Sequence, residues 1–326
     1  MNYIGSKKKL IAFIKETVYE EVGYNLKEQV FCDLFAGSGA VGRAFKKEVK
    51  AVISNDLEYF SYVLNRHCIA NCKKIECQDL FDELNALDGV EGFIFRHYAK
   101  NTKNEREYFS AQNAKKIDAM RERIEHYYSC KRIDEDSYFY LLSSLIASAD
   151  KVANTASVYG SYLKYLKPLA QKKLILEPSE YELTNQSNRV YNTDASELIV
   201  MLHGDILYVD PPYNVRQYGA DYHLLNTIAL YDEFTPQGKT GRREYNRSNF
   251  CKKNGIKNAL EELIKNAKFR YVFMSYSSDG ILSSETIANL MKQYGTYRCK
   301  SMAHKYFGQK KSARTTVEYL HIVKKW

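Results

Sequence analysis

The chain has 326 residues, of which 45% are hydrophobic, enough for the core of one large or two modest domains. Lys and Arg number 48 against 39 Asp and Glu, and the net charge of +9 favours an acidic partner such as nucleic acid over a neutral metabolite. There is no run of about 18 apolar residues and no secretory signal pattern, so we expect a cytoplasmic protein without a membrane partner.

The first recognisable unit lies near the N-terminus. Residues 29–34 read as a buried strand, 35–42 as a glycine-rich turn, 43–47 as a helix and 51–54 as a second strand. This βαβ order predicts a parallel sheet.

The chain has seven cysteines, and Cys68, Cys72 and Cys77 form the one sequence cluster. The cluster lacks the paired spacing of a zinc site, and an odd count argues against a disulfide framework. We predict reduced, buried thiols on a helix and the next strand, and no metal.

From residue 96 to 149 the pattern changes to long helices rich in charge and tyrosine, and a polar, strand-poor segment, 154–162, follows. This region reads as an insertion between sheet elements. Strand patterns resume after it, at 189–191, 206–209, 269–274, 297–301 and 317–323, and the last two predict a hairpin or near neighbours.

A basic stretch, 234–255, interrupts the later strands. It has no apolar period, and it is predicted to be a mobile basic loop, either simply solvated or in contact with nucleic acid. Its basic residues are Lys239, Arg242, Arg243, Arg247, Lys252 and Lys253.

The glycine turn fits GxGxxG over residues 37–42, and Asp56 closes the second strand. Such a turn serves NAD, FAD or S-adenosylmethionine alike, and a purely structural turn is a further interpretation. Asp33 at the end of the first strand favours S-adenosylmethionine, because a carboxylate attracts an aminoacyl ammonium and would repel a pyrophosphate.

A rigid corner, Asp-Pro-Pro-Tyr at 210–213, follows the strand 206–209. Two prolines stop the strand and stiffen the chain. Asp210 and the carbonyl of Pro211 suit the two N–H groups of an exocyclic amine, and Tyr213 suits stacking on its ring. Orientation and electrostatics would then promote in-line attack of the amine on a sulfonium methyl.

Together these motifs resemble those of the alpha-group adenine-specific DNA methyltransferases. The resemblance covers nearly the whole chain and identifies 210–213, with Pro212, as the catalytic motif. It implies that S-adenosylmethionine is bound by Tyr3, Lys7, Asp33, Phe35, Gly37, Gly39, Asp56, Asp194 and Asp210. After Asp194, where the family has an aromatic residue, this chain has Ala195.

The resemblance further implies an α/β, Rossmann-like methyltransferase fold with a mixed seven-stranded sheet. Residues 1–94 and 191–326 would form the catalytic domain, and 95–190 a mainly helical target-recognition insertion. The target adenine of duplex DNA would be flipped out for transfer to its N6 amine. The enzyme would be the modification partner of a restriction system, with a separate endonuclease, or a solitary regulatory enzyme.

Candidate nucleic-acid contacts lie after the corner and in the basic stretch: Arg216, Tyr218, Lys239, Arg242, Arg243 and Arg247. Gln217, Tyr222 and His223 are adjacent candidates for a flipped-base pocket, with ordinary packing as the alternative. Three other functions are weighed against DNA methylation: ribosomal RNA adenine-N6 methylation, nucleotide-dependent oxidoreduction and noncatalytic DNA binding. The long insertion favours duplex DNA over RNA, because reading base pairs in a groove needs a large surface.

Overall fold

A computed structural model describes residues 6–102, 105–307 and 313–326. Within them the chain forms two compact units. The sheet unit consists of Ser6–Leu57, Thr184–Gln217 and Arg247–Trp326, and the helical unit of Glu58–Leu183 and Tyr218–Asn246, apart from the gaps just given. The predicted insertion, 95–190, lies largely in the helical unit, which also takes in residues 58–94 and 218–246.

The sheet unit contains one seven-stranded sheet with the order β3-β2-β1-β4-β5-β7-β6. The strands are β1 Val30–Asp33, β2 Ala51–Asn55, β3 Arg189–Tyr191, β4 His203–Val209, β5 Lys268–Ser277, β6 Thr296–Phe307 and β7 Ala313–Lys324. The first five strands of that order pair in parallel, whereas β7 pairs antiparallel with both β5 and β6. The predicted mixed sheet, its seven strands and the β6–β7 hairpin are confirmed.

Parallel pairing brings the carboxyl ends of β1, β2 and β4 to one edge of the sheet. In the ladder, Asp33 of β1 lies beside Ser54 of β2 and Tyr208 of β4. The chain leaves these strands at Leu34, Asp56 and Asp210, and we call this edge the carboxyl edge. The crevice outside the carboxyl ends of parallel strands is where open α/β sheets bind ligands.

Helices cover the sheet and bury its apolar faces. In Ile256–Asn266 the buried residues are Ile256, Leu260, Leu263 and Ile264, whose spacing places them on one side of the helix. They pack in a cluster with strand residues such as Phe269. The α-helices of this unit are Ile11–Val22, Ala40–Phe45, Ala195–Leu198, Ile256–Asn266 and Ser284–Met291.

The helical unit has its own apolar core, built mainly from two long helices, Ala111–Ser129 and Glu135–Lys151. Ser110 and Asp134 cap their N-termini by accepting hydrogen bonds from Asn113 N and Ser137 N. The unit's other α-helices are Tyr59–Asn65, Gln78–Ala86, Phe93–Tyr98, Pro168–Gln171, Tyr218–Asp221 and His223–Leu230. No helix in the described part of the chain has the length and apolar character to cross a membrane.

The cysteine cluster falls in the helical unit. Cys68 is buried in a π-helical turn, Arg66–Ala70, and Cys77 is buried immediately before Gln78–Ala86. The expectation that the cluster reaches into a strand is wrong, because a helix follows Cys77.

Candidate active site at the carboxyl edge

The Asp-Pro-Pro-Tyr corner follows directly from β4. The ring of Tyr213 packs edge-on against that of Tyr276, with 6.0 Å between centroids. The carbonyl of Tyr213 accepts a hydrogen bond from Ile281 N at 2.9 Å. Both ends of the corner are therefore held, Asp210 by the strand before it and Tyr213 by Tyr276 of β5 and by Ile281, which follows β5.

A buried lysine connects this corner to a glutamate of β7, two strands away in the sheet. Lys7 Nζ lies 2.8 Å from Asp210 Oδ1 and 3.2 Å from Glu318 Oε1, and the Lys7 and Glu318 side chains are each only 5% exposed. Ser275 Oγ donates a hydrogen bond to the same oxygen of Glu318. The sequence assigned Lys7 to the cofactor site, and the structure shows its ammonium against Asp210, the first residue of the candidate catalytic motif.

The electrostatics of this group follow from burial and from its two negative charges. Burial raises the pKa of Asp210 above the ordinary aspartate value; Lys7 opposes this rise and Glu318 adds to it. Burial would lower the pKa of Lys7, but Asp210 and Glu318 hold that pKa well above its usual value. Lys7 therefore stays charged, and the three groups together carry a net charge of about −1 when both acids are ionised.

Sequence reasoning missed Glu318 and Ser275. The available signal was the alternation of β7, in which Thr316, Glu318 and Leu320 are buried while Val317 and Tyr319 between them are less so. A glutamate at an inward position of a strand needs a charged partner, because an isolated buried carboxylate is costly.

The glycine turn lies at the end of β1. Gly37 and Gly39 have φ values of 51° and 74°, a left-handed conformation that glycine adopts without strain. Gly37 N donates to Asp56 Oδ2 at 2.8 Å, which ties the turn to the end of β2. This bond fixes the Asp56 side chain at the carboxyl edge.

The two carboxylate oxygens of Asp33 differ in their hydrogen bonding. Its Oδ2 accepts a hydrogen bond from Gly42 N at 3.0 Å, and its Oδ1 is buried with no hydrogen-bond partner among the described residues. Burial raises the pKa of Asp33 to about 7, against the lowering effect of the Gly42 hydrogen bond. A buried carboxylate oxygen without a donor fits the ammonium of an aminoacyl group.

Asn55, another residue that sequence reasoning missed, braces this edge. Its Nδ2 donates to Leu34 O at 3.2 Å and Thr193 O at 3.1 Å, and its Oδ1 accepts from Thr193 N at 3.2 Å. Asn55 thereby connects the chain after β1 to the segment that begins with Asp194. The Asp194 carboxylate caps the helix Ala195–Leu198 by accepting from Ser196 N.

An aromatic pair lies beside the turn, where Phe35 meets the buried Phe250 edge-on at 5.1 Å between centroids. Of the predicted cofactor residues, Tyr3 lies outside the described residues. All the others lie in the sheet unit: Lys7, Asp33, Phe35, Gly37, Gly39, Asp56, Asp194 and Asp210. Among the described residues no metal-binding group of three or more His, Cys, Asp or Glu side chains is found.

The candidate nucleic-acid contacts divide between the units. Arg216 and Arg247 are exposed in the sheet unit, whereas Tyr218, Lys239, Arg242 and Arg243 belong to the helical unit. Arg243 makes two hydrogen bonds of 2.8 Å to Asp232, and its guanidinium lies 5.0 Å from the ring centre of Phe234. Its charge is thus already neutralised, whereas Arg242 is exposed.

Two neighbours of the corner do not line a pocket. Tyr222 and His223 are 1% and 0% exposed, and His223 Nε2 lies 3.0 Å from Tyr159 O. Burial lowers the pKa of His223 to about 4, so the ring is neutral. Both are core residues of the helical unit, which corrects the expectation that they face a flipped base.

The basic stretch is also more ordered than its composition predicts. Gln237 and Arg242 exchange two backbone hydrogen bonds of 2.9 Å, which closes a turn. Tyr98 Oη donates to Gly241 O at 2.7 Å, and Arg106 donates to the carbonyls of Gly238 and Lys239. Buried and basic side chains of the helical unit therefore hold the carbonyls of this part of the stretch, and the mobility predicted for it stays a prediction.

A second basic surface lies in the helical unit, at residues 154–174, which we call the bracketed segment. At one end the buried side chain of Asn154 donates to Glu107 O and Leu163 O and accepts from Lys167 N. At the other end buried Asn113 donates to Ala170 O and Lys172 O and accepts from Leu174 N. The segment contains four lysines and no acid, and its Tyr165 side chain is 71% exposed.

Comparison with known proteins gives a consistent family. A family model described as D12 class N6 adenine-specific DNA methyltransferase matches residues 3–290. The Type II methyltransferase M.NlaIII of Neisseria lactamica is 49% identical, over 100% of this chain and 99% of that protein. M.FokI of Planomicrobium okeanokoites is 38% identical over 100% of this chain and 53% of that protein, and M.CviAII of Paramecium bursaria Chlorella virus 1 is 38% identical over 99% and 98%.

Proposed function

Since the chain belongs to the D12 class of N6 adenine-specific DNA methyltransferases, we propose that its carboxyl edge transfers a methyl group from S-adenosylmethionine to adenine in duplex DNA. The observation that carries this proposal is the placement of Asp33 and Asp210. Asp33 is the last residue of β1, and Asp210 directly follows β4. These two strands are parallel neighbours about 4.8 Å apart. One carboxylate is suited to the cofactor and the other to the target amine.

Residues of the sheet unit are suited to hold the cofactor. The unpartnered oxygen of Asp33 would bind the aminoacyl ammonium, the backbone of Gly37 and Gly39 would lie against the nucleoside, and Asp56 would accept from the ribose hydroxyls. Phe35 and Asp194 would contact the adenine ring. When bound, S-adenosylmethionine supplies an electrophilic methyl group on a sulfonium.

The corner is suited to the target amine. The lone pair of that amine is delocalised into the adenine ring, so it is a weak nucleophile. Asp210 and the carbonyl of Pro211 would accept its two N–H groups and favour a tetrahedral nitrogen, Pro212 would stiffen the corner, and Tyr213 would stack on the ring. The amine would attack the sulfonium methyl in line, so that the N–C bond forms as the S–C bond breaks, with no covalent enzyme intermediate, and its departing proton would pass to water.

The target base must leave the duplex, because stacking keeps its amine away from a buried methyl donor. We assign catalysis to the sheet unit, which lies within the predicted 1–94 and 191–326 except for residues 184–190. Target recognition we assign to the insertion, 95–190, which contains the bracketed segment. Four lysines and an exposed tyrosine on a fixed backbone suit phosphate contact and base stacking. Arg216, Tyr218, Lys239, Arg242 and Arg247 would add contacts to the DNA backbone.

The relatives support a biological setting, since M.NlaIII, M.FokI and M.CviAII are each named as a Type II methyltransferase. We infer that this protein protects its recognition site in the cytoplasm as the modification partner of a restriction system. A cognate endonuclease would then act separately on the same site.

The test uses labelled S-adenosylmethionine with duplex DNA of mixed sequence and, separately, ribosomal RNA, followed by nucleoside digestion and mass spectrometry. We expect N6-methyladenine from DNA alone. Label in RNA alone would overturn the substrate while keeping the chemistry. Absence of label from both, in a sample that binds the cofactor, would overturn the proposal in favour of noncatalytic DNA binding.

A further inference from the structure

Glu318 lies in the interior, and the chemistry assigned to the corner makes no direct use of it. It is 4% exposed in β7, separated from β4 by β5. Its Oε1 contacts Lys7 Nζ at 3.2 Å and accepts the hydrogen of Ser275 Oγ. Removing a carboxylate from water costs several kcal/mol unless it is paired and hydrogen-bonded, and these two contacts supply the ion pair and the hydrogen bond.

The sheet fixes the geometry of this group from three directions. Glu318 lies opposite Ser277 in the β5–β7 ladder, and Ser275 lies two residues before Ser277 on β5. Asp210 follows β4, the parallel neighbour of β5. Lys7 therefore sits between carboxylates on either side of one central strand, with its position set by both.

We propose that Glu318 is a positioning residue for methyl transfer, which holds the Lys7 ammonium at Oδ1 of Asp210 and limits how far that ammonium neutralises the aspartate. This inference rests on the proposed function of Asp210 as acceptor for the target amine. With Lys7 shared between two acids, Oδ2 of Asp210 is left to accept the N–H of that amine.

The charges support this role. Lys7 and Asp210 alone would form a neutral pair, in which the ammonium withdraws charge from the aspartate. Glu318 restores about one negative charge to the group, and its presence raises the pKa of Asp210. A more basic carboxylate is a stronger hydrogen-bond acceptor, so it favours the reactive geometry of the amine.

Other titratable groups act on the same site and must be kept constant. Asp33 of β1 acts on Asp210 and Lys7, and Tyr208 and Tyr213 act on Lys7. The pKa of Tyr208 lies well above its usual value because of burial, so it is neutral throughout the working range. Among the described residues, the titratable groups that act on this lysine and aspartate pair are Asp33, Tyr208, Tyr213 and Glu318.

The experiment measures single-turnover methyl transfer to duplex DNA across pH, with saturating S-adenosylmethionine, for wild-type protein and Glu318→Gln. The substitution keeps the shape and removes the charge. We expect the acid limb of the rate profile to move down by about one pH unit, and the plateau rate to fall by about tenfold. Cofactor affinity should change by less than about threefold, because Glu318 has no part in the cofactor site.

Two further variants keep the test decisive. Ser275→Ala removes one hydrogen bond from Glu318, so its acid limb should move in the same direction by a smaller amount, and it serves if Glu318→Gln does not fold. His321→Asn changes another buried residue of β7, which contacts Tyr297 Oη at 2.7 Å, and should lower the melting temperature without moving the limb.

The outcomes separate this inference from the function on which it rests. If wild-type protein methylates adenine in DNA but the profiles of Glu318→Gln and Ser275→Ala superimpose on it, the positioning role is overturned. If Glu318→Asp, which keeps the charge, restores the acid limb to its wild-type place, the role is supported. Wild-type protein without methyl transfer would instead overturn the proposed function itself.

Discussion

Lys7 and Asp210 form a buried ion pair of 2.8 Å at the carboxyl edge of the sheet. Because Glu318 also contacts Lys7, removal of the Asp210 carboxylate still leaves the lysine paired. The Asp210 carboxylate can therefore be removed without leaving a buried charge unpaired, which makes its proposed catalytic role testable in a folded protein.

We expect Asp210→Ala to lower the rate of methyl transfer by about a thousandfold, since the amine loses a charged acceptor. Binding of S-adenosylmethionine, measured by calorimetry, should stay within about threefold of wild type. Asp205→Asn is the matched control, since Asp205 belongs to β4, the strand that Asp210 follows, and bonds only to Val30 N in the described residues. Near-normal turnover in Asp210→Ala would refute the mechanism.

Cofactor binding should depend on pH through Asp33. Its pKa is raised to about 7 in the unliganded protein, and only the ionised form attracts the cofactor's ammonium. Affinity should therefore fall as pH decreases below about 7, and binding near pH 6.5 should release a proton. Calorimetry in buffers of different ionisation enthalpy measures that proton directly; a pH-independent affinity between 6 and 8 would contradict the assignment of Asp33.

The same residue should make the unliganded protein less stable at higher pH. The folded pKa of Asp33 lies above the unfolded value of about 3.9, so the folded state holds the proton more tightly, and its stability falls as pH rises from about 4 through 7. Asp33→Asn should remove this loss, giving about 4 kcal/mol more stability than wild type at pH 8 and little difference at pH 4. Urea unfolding of both proteins at the two pH values tests this. The stabilised Asp33→Asn variant should also lose cofactor binding, because it has no carboxylate for the ammonium.

Arg242 and Arg243 should differ although they are adjacent. Arg242→Gln should weaken binding to duplex DNA and reduce the slope of log K against log salt by about one. Arg243→Gln breaks the ion pair with Asp232 and should mainly lower stability, by about 1 kcal/mol, with the salt slope unchanged. Filter binding over a salt series, together with thermal unfolding, distinguishes the two variants. Identical slopes for wild type and Arg242→Gln would show that Arg242 is a solvated residue without a DNA contact.

The bracketed segment predicts a separation of binding from stability. Tyr165→Ala should lower DNA affinity by about tenfold at constant melting temperature, because a single stacking contact contributes about 1–3 kcal/mol. Asn154→Ala removes three side-chain hydrogen bonds and should lower both stability and affinity. Tyr24→Ala, at a tyrosine 73% exposed in the sheet unit, is the control and should bind DNA normally. Loss of affinity in the control, or none in Tyr165→Ala, would contradict this surface.

The sequence allowed prediction of the elements whose signal is local. Strand patterns located β1 to β7, and a GxGxxG turn beside Asp33 and Asp56 located the cofactor edge. The corner at 210–213 was evident because two adjacent prolines are rare in this chain. Each of these features depends on residues that are neighbours in sequence.

The features that were missed depend on distant residues. Glu318 contacts Lys7 only because the fold brings β7 beside it, although the two residues are 311 positions apart in sequence. Asn113 is an ordinary helix residue in sequence, although its amide holds Ala170 and Lys172. The burial of Tyr222 and His223 in the core was likewise not predicted. An aromatic residue soon after the candidate catalytic motif is equally compatible with core packing and with contact to a base.

Asn113 and Asn154 hold the backbone of the bracketed segment independently of the side chains that the segment exposes. Their amides bond to backbone groups, so the course of the chain between them does not depend on which side chains it presents. Lys164 and Tyr165 are exposed and can be exchanged at little cost in folding free energy. Such a frame suits directed retargeting: a library confined to the exposed positions of this segment would vary the proposed DNA contacts while the carboxyl edge of the sheet stays intact.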